Sequence, residues 1–112
     1  MDYRVLLRMQ VQENQWVTLG ESHVIRWNYR DLIAESSGWV LMNQISSGLA
    51  TALLPKLNKG IIELTDSKKI YDDFEIQFGP GTINEVLKFY QSLQKDCREH
   101  RYTEVYGTVV SS

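Results

Sequence analysis

TINEVLKFYQSLQKDC, Thr82 to Cys97, is the stretch on which the fold turns. Ile83, Val86, Leu87, Tyr90, Leu93 and Cys97 recur at helical spacing and form one apolar stripe. Such a helix must lay that stripe on another layer. Thr82 and Glu85 have the spacing of a capping box, and Arg98, His100 and Arg101 crowd the last turn, where positive charge suits the helix dipole. Gly79-Pro80-Gly81, just ahead, is strong turn chemistry.

Upstream lies a second amphipathic segment, opened by Ser46-Ser47. Its Leu49, Leu53, Leu57, Ile61 and Leu64 fall at spacings of four and three. Pro55 interrupts it and predicts a kink, or a restart with Pro55 in a first turn. Gly60 adds another soft point. Between the two helices, Asp66 to Gly81 reads as a connection carrying Tyr71, Phe74 and Phe78.

The first quarter has a different period. Tyr3, Val5, Leu7, Met9 and Val11 alternate with Arg4, Arg8, Gln10 and Gln12, the signature of a half-buried strand. Glu13-Asn14-Gln15 is a break of hairpin length before Trp16 to Leu19. Gly20 marks a bulge or a strand end. His23, Ile25 and Trp27 then oppose Val24 and Arg26 as further strand. Asn28 and Asp31 suggest a helix start, with a short helix over Tyr29 to Ser36 ended by Gly38. Trp39 to Ile45 fits either a buried strand or a helix. Thr103 to Val110 alternates again and predicts a returning strand.

The sum is a single α+β domain over residues 1–112. A small antiparallel sheet of three to four strands is expected, covered on one face by two long helices. A chain of this length buries roughly two thirds of its unfolded surface, enough for one core without metal or disulfide staples.

Fourteen acidic residues against 12 basic ones give a net charge of −2. No window supplies the basic surface that nucleic-acid binding needs. One cysteine, Cys97, cannot form an internal disulfide, which fits a reducing compartment. The first residues lack the blocks of a signal peptide. Ser36 to Pro55 is uncharged for 20 residues, but Asn43, Gln44, four serines and two glycines interrupt it. It reads as buried core, not a membrane span. The cytoplasm is the expected location.

Few residues suggest chemistry. Cys97-x-x-His100 is half a metal site, but zinc wants four ligands and only His23 could join it. A thiol on an apolar stripe is expected to fill core and stay inert. Gly79-Pro80-Gly81 lacks the pattern of a phosphate loop. No nucleophile–base–orienter set stands out, and no metal or cofactor is expected. The densest acidic patch is Asp72-Asp73-Phe74-Glu75, with Glu63 and Asp66 upstream. In a lysine-bearing loop it is either simply solvated or a docking surface for a basic partner. Trp16, Trp27 and Trp39 are too many indoles for so small a domain to hide completely, and exposed aromatics anchor interfaces.

The second half resembles a family of short bacterial and phage-borne proteins of unknown function. The likeness rests on Leu54-Pro55-x-Leu57-x-x-Gly60-Ile61-x-x-Leu64, then Gly79-Pro80-Gly81-Thr82, Phe89, Leu93 and Cys97-x-x-His100. In that family a tryptophan stands between the turn glycines, where this chain has Pro80. The resemblance implies a small stand-alone α+β domain from mobile or competitive gene neighbourhoods.

These observations lead to the expectation of a non-catalytic protein-binding module of the immunity type, which masks a basic toxin or effector. Asp72, Asp73, Phe74, Glu75, Trp16, Trp27 and Trp39 are the expected interface. A small homo-oligomeric enzyme, a phage or host-defence accessory protein and an assembly subunit are the alternatives.

Overall fold

The computed structural model describes residues 1–111. Strands β1 (Asp2–Gln12) and β2 (Gln15–Arg26) form a hairpin, followed by helix α1 (Arg30–Ser37). Strand β3 (Ile45–Leu49) leads directly into helix α2 (Ala50–Asp66). Helices α3 (Asp72–Phe78) and α4 (Thr82–Glu99) come next, and strand β4 (Glu104–Val110) closes the sheet. The sheet order is β2-β1-β4-β3 with every neighbour antiparallel. The α+β architecture read from the periodicities is the one observed.

Period decides which side of each element is buried. Tyr3, Val5 and Leu7 of β1 point into the core with Val105 of β4. Leu53, Leu57 and Leu64 of α2 meet them, as do Ile83, Val86, Tyr90, Leu93 and Cys97 of α4. Met9 and Val11 continue the inner row of β1 but are exposed, because the hairpin runs on past its helical cover. The opposite face of β1 and β4 carries Arg4, Arg8, Tyr106 and Thr108, partly or fully open to solvent.

Several local expectations are corrected. Ser46-Ser47 lie in β3, and α2 begins at Ala50. α2 does not restart at Pro55, which sits inside the helix, where its missing amide leaves the Thr51 carbonyl without its intrahelical donor. Trp39 to Gln44 is neither strand nor helix; only Ile45 belongs to β3. Asn28 caps nothing with its side chain and lies in a 3₁₀ turn, Trp27–Tyr29. The supposed connection from Asp66 to Gly81 contains a 3₁₀ turn, Lys68–Tyr71, and α3.

Capping of α4 also differs. Thr82 Oγ1 donates to the Gly79 carbonyl at 2.7 Å and caps no helix amide. The carboxylate of Glu75 takes that role from α3, accepting the Gly81 amide at 2.9 Å and the Ile83 amide at 3.4 Å. An anion at a helix start is favoured by both the free amides and the dipole.

The uncharged stretch from Ser36 to Pro55 is only in part core: Trp39, Leu41, Ala50, Leu53 and Leu54 are buried, but Val40, Met42, Ile45 and Leu49 are exposed, which corrects its reading as a buried segment. No helix among the described residues is long and apolar enough to cross a membrane.

Candidate functional site

Strand β2 does not run evenly along β1. Val5 pairs with His23 and Leu7 with Leu19, so Gly20, Glu21 and Ser22 together oppose Leu6. Gly20 adopts φ +74°, a left-handed conformation that glycine takes without strain. A Cβ there would lie 2.8 Å from the Asp96 carboxylate on α4. The bulge thus lets Asp96 approach the strand and turns the Glu21 amide onto its Oδ2 at 3.0 Å.

The same oxygen lies 2.6 Å from Nε2 of His23, a buried residue on the inner face of β2. On the far side of the ring, Nδ1 lies 3.1 Å from Oγ of Ser92, one turn before Asp96 on α4. Burial raises the Asp96 pKa, but the Glu21 amide, the His23 ring and the field of His100 outweigh it. Together they hold the carboxyl below its usual 3.8. An ionised Asp96 accepts the Nε2 proton of His23. In the tautomer with the proton on Nε2, Nδ1 can accept the Ser92 hydroxyl.

Ser92, His23 and Asp96 thus form one hydrogen-bonded chain across β2 and α4, an arrangement that linear spacing did not suggest. Ser92 is exposed while His23 and Asp96 are buried. A groove of about 420 Å³ opens beside it between β2 and α4, lined among others by Ile25, Arg26, Lys88 and Phe89. Linear spacing hid this set, since His23 and Asp96 are 73 residues apart. A signal did exist: a histidine on the apolar face of a strand needs a buried polar partner.

Beyond Asp96, α4 ends at Glu99 with His100 just after it, and one ligand atom from each of the three lies within 4.8 Å of the others. They are the described residues nearest to a metal-ligand arrangement. Cys97 is not among them. Its side chain is fully buried, and burial, with the Asp96 charge beside it, pushes the thiol up to about 12. It is a core residue, as its place on the stripe predicts.

The expected interface residues separate into three groups. Asp72 and Asp73 are exposed in the first turn of α3. Ile76 stands one turn further along the same helix, 82% exposed, and Ile70 just before it is 73% exposed. Neither isoleucine was singled out from the sequence. Phe74 faces inward, half-buried and stacked on Phe78. Glu75 caps α4 as described.

The tryptophans also divide. Trp39 is 2% exposed, stacked on Phe89, with its indole N–H on Ser47 Oγ at 3.3 Å. A ring so enclosed offers no surface to a partner, which corrects its place in the expected interface. Trp27 is half-buried against Tyr3. Trp16 is exposed on the hairpin, where the Arg8 guanidinium stacks 4.1 Å from its ring centre and 3.9 Å from that of Tyr106. No protein-family model matches this chain, and neither a curated protein nor a solved structure does.

Proposed function

We propose that this chain is a protein-binding module of the immunity type, which occupies and masks a basic toxin or effector in the cytoplasm. One observation carries the reading: α3 projects Asp72 and Asp73 beside the exposed apolar side chains of Ile76 and Ile70. Apolar side chains left in water beside carboxylates suit a partner that offers both a greasy contact and positive charge. The carboxylates would speed encounter through long-range attraction, and the isoleucines would hold the docked complex. Phe74 and Glu75 support this surface from beneath, and Trp16 is the exposed indole available for a further contact.

The test is capture of the partner on the tagged chain, followed by binding kinetics with variants. Asp72→Lys with Asp73→Lys should slow association roughly tenfold or more at low salt and flatten its salt dependence. Ile76→Ala should mainly speed dissociation. A captured partner that binds both variants as it binds the parent chain rules the surface out.

A further inference from the structure

We propose that Ser92 is an activated nucleophile, an acceptor of acyl groups from small carboxylic esters bound in the groove between β2 and α4. The site stands apart from the binding surface. Ser92 lies ten residues along α4 from Thr82, roughly 15 Å from the end that α3 caps.

The geometry assigns the roles. Ser92 Oγ is 3.1 Å from Nδ1 of His23, within reach for proton transfer, and is open to solvent. His23 cannot turn away, because its Nε2 is held at 2.6 Å by Asp96. Asp96 is itself fixed by the Glu21 amide that the Gly20 bulge presents. The orienting carboxylate, the buried imidazole and the exposed hydroxyl thus follow the order of a nucleophilic relay, built from a helix and an edge strand.

The groove names the substrate class. Ile25 and Phe89 give it an apolar wall that suits a short acyl chain or an aryl group. The backbone amides around Ser92 are bonded within α4, so charge on a carbonyl oxygen must be met by a side chain. Lys88 stands one turn before Ser92, lines the same groove and makes no ion pair among the described residues. Of the two cations lining the groove, Arg26 is paired with Glu85, so Lys88 is the one we assign to meet the developing oxyanion.

In the reaction the Ser92 Oγ–carbon bond forms as the hydroxyl proton passes to His23 Nδ1. The tetrahedral species then collapses and its carbon–oxygen bond to the alcohol breaks. The imidazolium returns the proton to the departing oxygen, leaving acyl-Ser92 and free alcohol. Asp96 stays ionised throughout and steadies the imidazolium.

A fluorophosphonate probe tests the assignment, since it labels only activated serines. The Ser92 oxygen–phosphorus bond forms, the phosphorus–fluorine bond breaks, fluoride leaves and the proton goes to His23. Intact mass and peptide mapping should show one label, on Ser92. Ser92→Ala changes an exposed side chain and should abolish the label. His23→Gln should slow labelling roughly a hundredfold, the contribution of a positioned general base. The proposal is overturned by an unlabelled parent chain, by labelling that survives Ser92→Ala, or by a folded His23→Gln that labels at the parent rate. If His23→Gln does not fold, Lys88→Ala on the exposed face replaces it. That variant should release the aryl alcohol of an aryl acetate several-fold more slowly in the single acylation of Ser92, and an unchanged acylation rate overturns the proposal. Any of these failures leaves the binding surface on α3 untouched.

Discussion

Gly60 of α2 lies so close to the Tyr90 ring of α4 that a Cβ on it would fall 2.4 Å from Cε2. This contact sets how near the two long helices come. Glycine inside a helix costs about 1 kcal/mol against alanine, so Gly60→Ala should stabilise α2 taken alone. In the folded chain the methyl must displace a buried aromatic ring, with an overpacking cost of about 1–3 kcal/mol. Urea unfolding should show a net loss of stability; a variant as stable as the parent would contradict the tight seam.

Acid should weaken the fold partly through Asp96. Its carboxyl has a lower pKa in the folded chain than the ordinary 3.8. The associated stability is fully present above that ordinary value and disappears as pH falls through the lower, folded value. Asp96→Asn removes the titrating group. Urea midpoints compared at about pH 6 and about pH 3 should fall less in the variant than in the parent.

Glu75 should matter to stability without mattering to association. Replacing it with Ala frees the Gly81 and Ile83 amides at the start of α4. Loss of a cap of this kind costs typically about 1 kcal/mol. Thermal unfolding should report that loss, while binding through Asp72, Asp73 and Ile76 stays within twofold of the parent, roughly 0.4 kcal/mol.

The Cys97 thiol, pushed up to about 12 and fully buried, should resist thiol reagents while the chain is folded. Its labelling rate should track the unfolded fraction through a urea titration. Fast labelling in native buffer would show that the end of α4 opens locally.

Periodicity made the two long helices and the first and last strands legible, because each buries one face against a neighbouring layer. Met9 and Val11 show where that logic stops. They obey the alternation of Tyr3, Val5 and Leu7, yet how far the helices cover a hairpin is a property of the assembled fold. Helix α3 escaped notice because seven residues give too little pattern for a period. Without α3 there was no way to see Glu75 as a cap. Asp72 and Asp73 were legible as a charge cluster, but the exposed Ile76 beside them required the helix. Asp96 was hidden among the polar positions flanking the α4 stripe, its meaning set by a strand far away in sequence.

The centre of the sheet joins distant parts of the chain, since β1 pairs along most of its length with β4, from Asp2 opposite Val110 to Arg8 opposite Glu104. During synthesis β1 and β2 emerge first and can zip together. Until β4 follows, the other edge of β1 offers open backbone to any strand nearby. The inner row of Tyr3, Val5 and Leu7 gains its helical cover only as α2 and α4 follow, α4 docking on β2 through Asp96 and Ser92. Completion of the fold is therefore a late, long-range event, and the nascent hairpin is the stage most in need of chaperone protection.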